Sequence, residues 1–86
     1  MTKFSFSLQD APDFWTTFEC DCEFGNIGGN PAVENAIACL IKDRNPKLYE
    51  CHRRIKKLIV EDENGNVYQT DDFDIPGSLI KIESYN

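Results

Sequence analysis

No stretch of this 86-residue chain approaches the roughly 20 consecutive apolar residues of a membrane-spanning helix. Its first residues, MTKFSFSLQD, also lack the apolar core and small-residue cleavage site of a secretory signal, so the expected compartment is the cytoplasm. Histidine occurs once, as His52. No Ser or Cys nucleophile stands in a recognised order with a base and an orienting carboxylate. Cys51 adjoins His52, but neighbours on a helix point about 100° apart, and Arg53, Arg54, Lys56 and Lys57 disfavour a protonated imidazole. Catalysis is not expected, and no cofactor is implied. Internal repeats and low-complexity segments are missing as well.

The composition excludes a disordered tail. Hydrophobic residues make up 41%, charged residues 28%, and Phe, Tyr and Trp number six, three and one. A chain this short has room for one hydrophobic core, so residues 1–86 are read as a single domain.

Four cysteines are present, Cys20, Cys22, Cys39 and Cys51. Without export their expected state is the reduced thiol, buried as a small hydrophobe. Cys20 and Cys22, with Cys39 and the Cys51-His52 pair, are the nearest approach to a zinc set. Structural zinc usually draws on C-x₂₋₄-C knuckles, which are absent, and Phe18 and Phe24 on the same face let core packing account for both thiols. No metal site is expected.

Period-two alternation marks a first strand at Phe4, Phe6 and Leu8. A second has Phe18, Cys20, Cys22 and Phe24 inward and Thr17, Glu19, Asp21 and Glu23 outward. Asn30-Pro31 supplies an N-cap and a first helical residue, and Val33, Ile37, Leu40 and Ile41 form one apolar stripe, which predicts a helix over 31–43. Asn45-Pro46 repeats the signal, and Leu48 and Ile55 continue a stripe that predicts a second helix over about 46–57. Leu58, Ile59 and Val60 announce a buried strand. Asn64-Gly65 predicts a type I′ hairpin into NVYQT, and Pro76-Gly77 a turn into a last strand in which Ile80 and Ile82 alternate with Lys81 and Glu83. The expected class is α+β: a single small domain, order ββααβββ, with an antiparallel sheet of about five strands and two helices on one face.

The loop GNIGGNP leads into a helix N-terminus, where free N–H groups can hold an anion. It matches neither G-x-G-x-x-G nor G-x-x-x-x-G-K-S/T, and a tight turn followed by an N-cap explains it.

Charge is strongly segregated. The formal net charge is −6, which argues against direct nucleic-acid or anionic-lipid binding by the whole surface. Residues 1–41 hold one cation, Lys3, against six carboxylates. Residues 42–57 hold seven cations, Lys42, Arg44, Lys47, Arg53, Arg54, Lys56 and Lys57, against Asp43 and Glu50. Residues 58–86 hold Lys81 against seven carboxylates. Glu19, Asp21 and Glu23, at alternate strand positions, would stand about 6.6 Å apart in a row like that of a phosphate backbone. Asp71, Asp72 and Asp74 form a second cluster. Edge protection and solubility explain acidic strands equally simply, and a solvated or self-paired helix explains the basic block.

The stretch FGNIGGNPAVENAI resembles the turn-to-helix element of the PhzF-type isomerases, but those enzymes are far longer and the likeness implies no activity here. In size and charge the chain is similar to small acidic proteins of phages and mobile elements, such as anti-CRISPRs and toxin-immunity proteins. The function expected is that of a non-enzymatic stoichiometric inhibitor of this anti-defence type. Glu19, Asp21, Glu23, Asp71, Asp72 and Asp74 would dock on the basic surface of a nucleic-acid-handling protein, with Trp15 and Tyr68 as anchors. The alternatives are a toxin-immunity protein, or a nucleic-acid binder using Lys47, Arg53, Arg54, Lys56 and Lys57. A homodimer formed through an exposed sheet edge is a further reading.

Overall fold

The alternation of Phe4 and Phe6 with Lys3 and Ser5 produces β1 (Thr2–Leu8). In the computed structural model, which describes residues 1–50 and 54–83, both phenylalanines are buried. A tight turn at Gln9 and Asp10 returns the chain as β2 (Ala11–Cys20), antiparallel to β1, with Leu8 opposite Ala11 and Thr2 opposite Cys20. Between the Phe6–Thr16 and Leu8–Ala11 pairs, β2 sets Pro12, Asp13, Phe14 and Trp15 against Ser7 alone, so the strand bulges. β3 (Ile55–Glu61) pairs with the other side of β1, β4 (Val67–Thr70) with β3, and β5 (Ile80–Glu83) with β4. The sheet is antiparallel throughout, in the order β2-β1-β3-β4-β5.

Asn30 caps α1 (Pro31–Arg44) as expected: its side-chain oxygen accepts from the N–H of Ala32, and Pro31 takes the first turn. Ile37 and Ile41 are buried, and Val33 and Leu40 pack against the core beside them. Asn45 closes the C-terminus, its N–H donating to the carbonyls of Ile41 and Lys42. The helix crosses one face of the sheet. Near its start Glu34 touches the segment before β5, and at its end the guanidinium of Arg44 lies 5.9 Å from the ring centre of Phe18 on β2. Phe18, Phe4, Val60 and Tyr68 stand opposite one another across four strands beneath it. Phe4 stacks on Phe18 at 5.1 Å, and Phe24 meets Phe4 edge-on.

Among the described residues the domain therefore has one long helix where two were expected. Of the predicted second helix, the described residues show one helical turn, Lys47–Glu50. Ile55 instead opens β3 opposite Leu8, and the N–H of Gln9 donates to the carbonyl of Arg54 at 2.9 Å, which draws this segment into the sheet. The spacing of Leu48 and Ile55 fitted a helix, but strand pairing with β1 claimed Ile55. Cys51, His52 and Arg53 lie outside the described residues.

Three further expectations change. β2 ends at Cys20 rather than continuing to Phe24, and Cys20 and Cys22 are joined by a disulfide rather than free. Their Cα atoms are 5.4 Å apart, inside the range a disulfide tolerates and shorter than the roughly 6.6 Å of two strand residues. In the β3–β4 hairpin the turn sits one residue early. The N–H of Gly65 donates to the carbonyl of Asp62 and Gly65 takes φ +81°, the three-residue form in which only the glycine needs a left-handed backbone. Last, Ile80 and Ile82 face outward. The register puts Lys81 opposite Tyr68 and Ile80 opposite Gln69, and Leu79 is the residue that enters the core.

A candidate docking surface

Strand register gathers carboxylates at one end of the sheet. Lys3 stands opposite Glu19 on one side and Glu61 on the other. The β3–β4 hairpin then adds Asp62 and Glu63, which line one hollow with Glu19 and Glu61 and a second with Glu23. Asp21 is exposed between the two cysteines. The group spreads over the surface: among the described residues no three His, Cys, Asp or Glu side chains converge to hold a metal.

Asp62 shapes this end. Its carboxylate accepts from the N–H groups of Asn64 and Asn66, both at 2.9 Å, and from the side-chain amide of Asn66 at 3.0 Å. Burial works against its charge, yet these hydrogen bonds, helped by the charge of Lys81, hold the carboxyl below its ordinary value of 3.8. Asp62 therefore stays ionised and fixes the loop that presents Glu63. Tyr68, opposite Val60 in the sheet, is 7% exposed, and burial followed by the charge of Asp62 pushes its phenol up.

Asp71, Asp72 and Asp74 are at the opposite end of β3 and do not join Glu19, Asp21 and Glu23. Asp72 lies 3.7 Å from the ammonium of Lys56, and Asp74 lies 3.6 Å from the guanidinium of Arg54. Asp74 also accepts from the side-chain amide of Gln9, and Asp71 from that of Gln69. The basic candidates are dispersed correspondingly. Lys47 is exposed on the helical turn, Arg54 precedes β3, and Lys56 and Lys57 are successive strand residues that point to opposite faces. They do not form the single helix face that the periodicity suggested.

The two aromatic anchors part company. Tyr68 is a core residue, whereas Trp15 is 41% exposed in the β2 bulge. Its neighbour Phe14, at 73%, is more exposed still. Phe14, Glu61, Asp62 and Glu63 were not singled out in the sequence. Pro12-Asp13, which interrupts the alternation before Phe14, is the signal that could have found the bulge. The role of Glu61 depends on which strand neighbours β1.

A cleft of about 370 Å³ separates α1 from residues 73–76, with Glu34, Lys42, Arg54, Phe73 and Asp74 among its walls. Its charges are largely engaged within the protein. Both oxygens of Glu34 accept backbone N–H groups, from Gly77 at 2.9 Å and Leu79 at 3.3 Å, and Asp74 faces Arg54. Among the described cysteines, Cys20 and Cys22 bond each other and Cys39 is exposed on α1. No family model matches the chain, and no curated protein or solved structure matches it. Among the described residues no helix is long and apolar enough to cross a membrane.

Proposed function

We propose that this protein acts by binding, as a small stoichiometric inhibitor whose acidic end docks on the basic surface of a nucleic-acid-handling protein. The observation that carries the reading is the convergence of Glu19, Glu23, Glu61, Asp62 and Glu63 at one end of the sheet, with Lys3 among them. A surface of clustered carboxylates steers a cationic partner and suits a groove that otherwise takes phosphates. The rival reading, direct nucleic-acid binding through the basic segment, is weakened by the carboxylates that Arg54 and Lys56 already face.

Capture of partners from the host with the wild type and with the double variant Glu61→Lys, Glu63→Lys separates the two. The docking reading expects loss of the captured protein with retention of the fold. Unchanged capture, or a gel shift of nucleic acid by the wild type that the double variant leaves intact, would count against it.

A further inference from the structure

We propose that β2 is the element that receives the partner, by adding an extended lysine- or arginine-bearing segment of that protein to the sheet as a sixth strand; this rests on the docking reading above. β2 is an edge strand, and across residues 16–20 its register with β1 is unbroken, so its outer side is a regular template about five residues long. In such a strand alternate residues turn their N–H and C=O groups away from the sheet, and an incoming chain can pair with them.

Charge selects the occupant. From residue 4 to residue 41 the chain contains no Lys or Arg, while β2 and its continuation carry Asp13, Glu19, Asp21 and Glu23. A strand laid beside residues 16–20 places its own side chains within about 5.5 Å of Thr17 and Glu19, where opposite charge is favourable and like charge is not. A second copy of this chain pairing through β2 would bring its own carboxylates to that acidic edge. A cationic segment meets complementary charge along its length. Phe14 and Trp15, swung outward by the bulge at the head of the template, offer an apolar contact for the end of the segment. The other edge is less suitable. β5 has four residues with Lys81 among them, and an edge lysine repels a cationic strand.

The test uses the whole protein, isotope-labelled, with an alternating lysine–valine octapeptide as probe. Two further octapeptides are N-methylated at the odd or at the even positions, which removes one or the other set of backbone donors and leaves the side chains and charge in place. The expected result is binding of the unmethylated peptide with slowed amide exchange at residues 16–20 and a change in Trp15 fluorescence. One methylated form should bind about tenfold more weakly, because the ladder hydrogen bonds are lost. Glu19→Gln, which removes the charge without setting a lysine opposite Lys3, should weaken binding while its melting temperature stays near the wild-type value.

Equal binding of all three peptides overturns strand addition while leaving acidic docking in place, since side-chain charge alone would then suffice. Protection at β5 instead of β2 overturns it, and so does absence of binding at millimolar peptide. The capture experiment with Glu61→Lys and Glu63→Lys decides the docking reading separately.

Discussion

Glu34 ties the helix to the segment before β5. It is buried in the first turn of α1, on the same stripe as Ile37 and Ile41, and its two oxygens hold the amides of Gly77 and Leu79. Replacing it with Ala strands two backbone donors and frees Leu79 to leave the core. Glu34→Ala is expected to cost about 2–3 kcal/mol in urea unfolding, well above the usual effect of a helical surface carboxylate. Asp62 makes a different prediction. Its carboxyl is depressed in the folded protein, so its contribution to stability is full above its ordinary value of 3.8 and is lost as pH falls through the lower folded value. Unfolding free energies of the wild type and Asp62→Asn, compared from neutral pH to about pH 2, should converge at the acid end. The aromatics supply a third contrast. Tyr68→Ala should destabilise by about 3 kcal/mol or more, as for other large core truncations, and Trp15→Ala by less than about 0.5 kcal/mol. A Trp15→Ala variant that melts as the wild type does but loses the captured partner identifies an anchor.

Among the elements, α1 and β1 are held by local rules and β2 and β5 by their neighbours. The helix begins where Asn30 and Pro31 place it, and Asn30 also donates through its side-chain amide to the carbonyl of Asn26, tying the glycine-rich loop to the cap. Asn30→Ala should cost about 1 kcal/mol of stability by thermal or chemical denaturation, with no change in the partner captured. The Pro76-Gly77 turn also follows expectation: the N–H of Ser78 donates to the carbonyl of Ile75 and Gly77 has φ +77°. β2 is set by three contacts in turn: the tight turn after Leu8, the bulge opposite Ser7, and the Cys20–Cys22 bond that ends it. That bulge leaves Phe14 and Trp15 in water, which a strand built only for solubility would avoid.

Over the whole molecule, charge is arranged along the sheet rather than in a belt around it. One end is acidic with Lys3 and Lys81 as nearby cations, and the other matches Arg54 and Lys56 to Asp74 and Asp72. Attraction through the acidic end acts across water and is screened over a Debye length of about 8 Å at physiological salt. Association should therefore slow steeply as salt rises from about 0.05 to 0.5 M while the dissociation rate changes little, a difference that stopped-flow fluorescence of Trp15 can measure.

What the amino acids determined unaided is whatever rests on near neighbours. The alternation at Phe4 and Phe6, the cap at Asn30, the stripe through Ile37 and Ile41 and the turn at Pro76-Gly77 each depend on residues within a few positions of one another. Tertiary structure alone decided that Ile55 enters a strand, that Leu79 rather than Ile80 is buried, and that Glu61 to Glu63 join Glu19 while Asp72 and Asp74 do not. Each of those outcomes follows from pairing between segments that are not neighbours in the sequence. A local period cannot select between two sheet neighbours or between the two faces of a strand, whereas strand register settles both at once.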